Sequence, residues 1–193
     1  MAEEHIANPL HTSDEERAAS MGNAGGPAED PSTDPAAVIT VSDSVSRGLR
    51  TDVGGQRAEE ALHRLGFKPV IRETVPDERD AIAALLRHLA DERGIRLIVT
   101  TGGTGVGPRD VTPEATYDVV DRVVPGMAEA MRAESLRKTP FAMISRQVVG
   151  TRGQALIINL PGNPKAVDEC LAVVAPVLNH TLDLLAGHTQ HKA

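Results

Sequence analysis

Two aspartates and a run of small residues carry the chemistry this chain is equipped to do. Asp110 closes the segment Thr100-Thr101-Gly102-Gly103-Thr104-Gly105-Val106-Gly107-Pro108-Arg109-Asp110, and Asp77 follows Val75-Pro76. Glycines at 102, 103, 105 and 107 let a backbone turn sharply and bring its N–H groups close to a ligand's oxygens, so the run reads as a nest for an anion. Carboxylates beside bound phosphates repel them unless a divalent cation intervenes. Magnesium is the expected one, because it is hard and takes few protein ligands when phosphates complete its shell. Arg109 would add a rigid guanidinium fork and Lys165 a mobile point charge. These residues point to an enzyme acting on a phosphorylated or nucleotide substrate with Mg2+.

Each residue also has a plainer role open to it. Asp77 stands where a helix N-cap belongs, Asp43 can cap the first loop, Asp110 can close its own loop on backbone amides, and Lys165 can be an ordinary solvated lysine. Other chemistries are excluded more firmly. The seven histidines show no metal-ligand spacing. The glycine run lacks the lysine-serine or lysine-threonine pair of a Walker A loop, and it follows the third strand of the body, not the first as a dinucleotide fingerprint would. No GxSxG elbow is present. Cys170, the only cysteine, is flanked by Val167, Leu171 and Val174 and reads as a buried helix position.

The elements that must position these residues alternate in type. Val38–Val41 reads as a strand ending at Ser42-Asp43-Ser44, and a helix follows from about Asp52 to Leu65 on the stripe Ala58, Ala61, Leu62, Leu65. Pro69–Val75 returns as a strand, and a helix opens after Pro76-Asp77-Glu78 with Ile82, Leu85, Leu86 and Leu89 on one side. The third strand, Ile95–Thr101, is apolar on both faces and delivers the glycine run. Thr112-Pro113-Glu114 is expected to cap a helix, and Pro125-Gly126-Met127 to start another. Met143–Val149 and Ala155–Asn159 are expected to pair as an antiparallel hairpin across Gly150–Gly153. Leu160–Lys165 then leads into a last helix, which Pro176 should break or kink. The fold class expected is α/β: a three-layer, doubly wound, mostly parallel sheet with an antiparallel hairpin near the edge. In such a sheet Ser42, Asp43, Asp77, the glycine run and Pro161–Lys165 all follow the carboxyl ends of strands, where ligands bind.

Composition bounds the partners. The chain has 193 residues, 40% of them hydrophobic, enough for one α/β domain. Its 27 acidic residues against 20 basic ones argue against nucleic acid. Residues 1–36 hold eight acids and one base, Arg17, so the whole formal charge of -7 belongs to that segment. Residues 1–36 are expected to be a disordered acidic tail, 37–187 the domain, and 188–193 a flexible end. No targeting segment or membrane span is read in the sequence, so a cytoplasmic location without membrane contact is expected.

The motifs in their order resemble the molybdopterin adenylyltransferase family of molybdenum-cofactor biosynthesis. The resemblance is carried by Val41-Ser42-Asp43, Val75-Pro76-Asp77-Glu78, Thr100 through Thr116, Pro125 through Arg132, Ser145-Arg146 and Asn159 through Ala166, spanning roughly Val38 to Leu185. It implies transfer of AMP from ATP to the terminal phosphate of molybdopterin, with Asp77 and Asp110 as catalytic carboxylates that hold magnesium. By the same resemblance Gly102, Gly103, Thr104 and Gly105 approach phosphates, Ser42 and Asp43 lie near the adenylyl or phosphate part, and Ser145 with Pro161-Gly162 lines the pterin region. The runner-up is a non-catalytic molybdopterin-binding or carrier protein of the same pathway. Many members have arginine where this chain has Ser44. The family also implies a homotrimer, for which Val148, Ile157 and the Met127–Met131 stripe offer apolar area, and a molybdate-insertion protein as a partner.

Overall fold

A computed structural model describes residues 34–188 of the chain. Strands β1 (Ala36–Val41), β2 (Val70–Val75), β3 (Leu97–Thr101), β4 (Arg122–Val123), β5 (Val149–Arg152) and β6 (Ala155–Leu160) form one sheet in the order β2-β1-β3-β6-β5-β4. The first four in that order are parallel, whereas β5 runs antiparallel to β6 and β4 antiparallel to β5. Every residue of β1, β3 and β6 is buried and none is charged, which is the composition a strand covered on both faces requires. Alternate residues serve two cores. Val38, Val99 and Ile158 pack with helices α2 (Val53–Arg64), α5 (Pro125–Leu136) and α6 (Pro164–Leu185). Ile39, Ile98 and Ile157 pack with α3 (Arg79–Arg87) and α4 (Thr112–Tyr117) on the other face. The expected three-layer fold is the one formed.

Strand register builds the site's edge. Val41 is level with Val75, Thr40 with Thr101, and Thr101 with Leu160. Ser42, Asp77, Gly102 and Pro161 therefore leave the sheet along one edge, although the chain separates them widely. Because β1 lies between β2 and β3, the switch in strand order falls beside Ser42 and Gly102.

Several expected elements differ. Met143–Val149 is not a strand: Pro140–Ile144 is a 3-10 turn that Thr139 caps by accepting the Phe141 amide, and β5 begins only at Val149. The hairpin is still antiparallel, but its turn is Gly153-Gln154, with Gly153 at φ 52. Pro176 does not interrupt α6, because it sits away from the buried stripe, where a missing backbone donor costs little. Thr112 is the first residue of α4, and its hydroxyl donates to the Gly102 carbonyl instead of capping. Val148, Ile157 and Met131 are buried in the core, so the apolar area they offer for assembly is internal packing. Cys170 is buried as expected, and burial pushes its thiol up from the ordinary range.

The expected boundary of the acidic segment shifts. Residues 34–36 belong to the fold: Asp34 pairs with Arg96 at 2.9 Å, its backbone accepts from Lys68, and Ala36 opens β1. Residues 1–33 and 189–193, where disorder and flexibility are expected, lie outside the described residues.

Candidate functional site

The glycine run forms a loop whose carbonyls are taken up by the protein. Gly102 O accepts from Thr112 Oγ1, Gly103 O from the Thr112 amide, Thr104 O from the Arg146 amide and Gly105 O from Arg146 Nε. Among the described residues no acceptor meets the amides of Gly103, Thr104 and Gly105. A loop that turns its acceptors inward and leaves consecutive N–H groups over is built to favour an anion. Glycine is required at two of these positions. Gly102 has φ 104 and a Cβ there would lie 2.4 Å from Val41 O; Gly103 has φ 63 and a Cβ would lie 2.3 Å from Thr112 Oγ1.

Asp77 sits against this loop. Its Oδ1 is 3.4 Å from where a Gly103 Cβ would stand, and its Oδ2 accepts the Asp43 amide at 2.7 Å. The Asp77 amide in turn donates to Asp43 Oδ1. Asp77 is therefore not a helix cap: Glu78 occupies the N-cap of α3 and makes no side-chain bond there. Burial pushes the Asp77 carboxyl above its ordinary range; the Asp43 amide opposes this, while the charges of Asp43 and Asp110 reinforce it. Asp110 accepts the Gly107 amide at 2.8 Å, closing the loop on itself, so its plainer role is the one its hydrogen bond shows, with its carboxylate lying against Gly105. Asp43 does not cap. Ser42 is the N-cap of the short helix α1 (Asp43–Ser46), while Asp43 holds Arg109 through contacts of 2.9 Å and 3.1 Å that keep its carboxyl below the ordinary range.

Two cavities flank the loop. The first, of ≈ 220 Å³, is lined by Ser42, Asp77, Gly102 and Gly162, together with Arg50, Thr51 and Asp52. The second, of ≈ 330 Å³, is lined by Thr104, Gly105, Ser145 and Pro161, together with Arg132, Phe141 and Gln147. Asp43, Gly103, Arg109 and Asp110 join this group through Asp77 and the loop. Lys165 does not: its side chain is 85% exposed, lines neither cavity and lies 4.0 Å from Glu169. Among the described residues no cluster of three metal-ligating side chains forms. Asp77 and Asp110 offer hard carboxylate oxygens, a donor set that suits a magnesium ion sharing its shell with phosphate and water.

Arg146 is the main residue whose role sequence spacing does not reveal. Besides its bonds to Thr104 and Gly105, its guanidinium donates to Asp110 O and pairs with Glu114. It ties the two ends of the loop together from a segment far along the chain. Asp52 is similar: it caps α2 through the Gly55 amide and holds Thr40 and Arg72 at 2.8 Å and 2.6 Å. Burial opposes its ionisation, yet these three donors outweigh it and lower its pKa. Its place before a helix is the only signal that local spacing carries.

The family described as "Probable molybdopterin binding domain" matches residues 37–180. The chain is 44% identical to the molybdopterin adenylyltransferase of Helicobacter pylori over 153 residues, 78% of this chain and 87% of that protein. It is 46% identical to the molybdopterin adenylyltransferase of Escherichia coli over 136 residues, 69% of this chain and 70% of that one. Among solved structures it is similar to the molybdopterin biosynthesis enzyme MoaB of Thermus thermophilus, with TM-score 0.76 and 49% identity over 80% of this chain and 98% of that chain. The Mog protein of Mycobacterium ulcerans gives TM-score 0.75 and 40% identity, covering 79% and 99%.

Proposed function

Because the chain belongs to the molybdopterin adenylyltransferase family, we propose that its crevice transfers AMP from ATP to the terminal phosphate of molybdopterin and releases pyrophosphate. A phosphate oxygen of molybdopterin attacks the α-phosphorus of ATP, one P–O bond forms, and the bond to the β-phosphate's bridging oxygen breaks. The attacking oxygen is already anionic, so no strong general base is needed. Holding two mutually repelling anions in line is the work the protein must do.

The observation that carries this reading is the loop whose carbonyls are bound inward and whose Gly103–Gly105 amides have no acceptor among the described residues, with Asp77 packed against it. The amides receive phosphate oxygens. Asp77 and Asp110 hold Mg2+, which when bound neutralises phosphate charge. Ser42 and the cavity beside Asp77 take the phosphate and nucleotide side, and Ser145 with Pro161 takes the pterin side. Asp43 and Arg109 act as a pair: Asp43 sets Asp77 through its amide, and Arg109 offsets the local negative charge. The protein works in the cytoplasm as a homotrimer, and a molybdate-insertion protein takes up its product. A non-catalytic carrier would also keep an anion-binding loop, but it gains nothing from a charged Asp77 that burial disfavours.

The test is direct. The purified chain, incubated with ATP, Mg2+ and molybdopterin, is expected to release pyrophosphate and form adenylyl-molybdopterin. Product no greater than in a control without protein would overturn the transfer reaction and leave the carrier role.

A further inference from the structure

The second cavity holds polar groups that the folded chain leaves unserved. Gln147 is 3% exposed, and its Nε2 is buried with no hydrogen-bond partner; Ser145 Oγ, in the same wall, is also buried and unpartnered. Buried donors are nearly always satisfied, because an unmatched one destabilises the free protein. The base of Gln147 is fixed: Arg132 Nη1 donates to its carbonyl at 2.8 Å, and the next amide, Val148, donates to the buried Asn159. The backbone at Gln147 is thus held in place, and its buried side-chain amide nitrogen is left unused. Phe141 stands at the rim with 77% of its surface exposed, and Thr104 and Pro161 close the side toward the loop. An aromatic face beside buried polar groups fits a flat, nitrogen-rich ring, whereas the first cavity, with Asp77 and Arg50, is lined for charge.

We propose that Gln147 is a specificity-determining residue that reads the edge of the pterin ring. Its Nε2 donates to a ring carbonyl or imine nitrogen, its amide oxygen accepts from a ring N–H or amino group, and Ser145 Oγ makes an adjacent contact. A site built around such groups rejects ring analogues lacking the matching donors and acceptors, since binding them would keep the amide unpaired. This inference rests on the adenylyl-transfer reading and on the pterin lying in the second cavity.

The experiment uses the full chain with Gln147→Met, which keeps length and removes the amide, and Gln147→Ser as a second variant should the first not fold. KM for molybdopterin, KM for ATP, kcat and melting temperature are measured. KM for molybdopterin is expected to rise roughly tenfold, the loss of one hydrogen bond to a ligand, with KM for ATP and kcat within about twofold. The melting temperature of the ligand-free Met variant is expected to hold or rise, because an orphaned buried amide is gone. A KM for molybdopterin within about twofold of the unaltered protein overturns the proposal. So does a rise confined to the KM for ATP, which would place adenine there, or a fall in kcat and melting temperature with both KM values unchanged, which marks a structural role. The unaltered protein in the same assay separates the two questions: failure to form product rejects the reaction itself, whereas product with unshifted constants in the variant rejects only Gln147.

Discussion

Asp110 accepts the Gly107 amide while its charge acts on Asp77 across the glycine loop, so a substitution that keeps one role and removes the other separates them. Asp110→Asn keeps an oxygen for that amide; melting temperature should change little while kcat falls about a hundredfold or more, as for loss of a group that stabilises transferring phosphate. Equal proportional losses of stability and activity would mark Asp110 as a loop closure only. Asp77→Asn should give a pH signature. A carboxyl whose folded pKa is raised contributes stability that is complete below its unfolded pKa and lost as pH rises through the folded value, so the neutral amide escapes that loss. The variant should melt no lower than the parent at neutral pH, and the difference should narrow as pH falls through the carboxylate range. Thermal scans across that range and up to neutrality, with the gap widening toward acid instead, would contradict this sign. Both carboxylates can be singled out in the sequence, Asp110 because it closes the glycine run and Asp77 because it follows the carboxyl end of an expected strand. The cations are less so. Charge alone makes Arg109 and Lys165 look like ligand groups, but the partner of Arg109 is Asp43, distant in sequence, and Lys165 extends into solvent near Glu169. Pairing across loops is invisible to local spacing.

Among the elements, the glycine loop depends on a network that no motif displays. Buried Asn159 on β6 donates to Thr100 on β3 and Thr116 on α4 and accepts the Val148 amide. Asn159→Leu leaves that amide and the Thr100 hydroxyl unmatched, while Thr116 keeps its bond to the Thr112 carbonyl, and should cost about 3 kcal/mol in denaturant unfolding; a loss below about 1 kcal/mol would show the network to be dispensable. Gly103→Ala meets both a positive φ and Thr112 Oγ1, so turnover should be nearly abolished even in preparations that still fold. Elements can be read from sequence where hydrophobic period and length agree, as in the alternating units through β3 with their long stripes and apolar strands. Met143–Val149 cannot, because its apolar ends, Met143-Ile144 and Val148-Val149, fit a strand, whereas Thr139-Pro140 upstream commits Met143 and Ile144 to a 3-10 turn through the Phe141 amide.

Over the whole molecule, the sheet's register does what sequence can only anticipate: it brings the ends of β1, β2, β3 and β6 level, so residues far apart share one crevice. Fold class is readable because three strand-to-helix units in succession leave few topologies. The boundary near residue 36 is not, because Asp34 looks like one more acid in an acidic segment until Arg96 is placed beside it. Removing residues 1–33 should leave melting temperature and turnover nearly unchanged. Asp34→Ala, by contrast, leaves the largely buried Arg96 guanidinium without its counter-charge and with only the Leu182 carbonyl as partner among the described residues, and should destabilise by roughly 3 kcal/mol, read from chemical denaturation; a change under about 1 kcal/mol would show that Asp34 does not anchor the start of the fold.

Asp77 and Asp110 serving one bound polyanion is the claim on which the mechanism turns, and a double-mutant cycle on AMP transfer tests it most directly. Groups that act as a unit lose most of their effect with the first substitution. Asp77→Asn and Asp110→Asn should each lower kcat/KM severely, and the double variant should be little worse than the poorer single one. Losses that multiply in full would mean that the two carboxylates act independently and do not serve one bound polyanion.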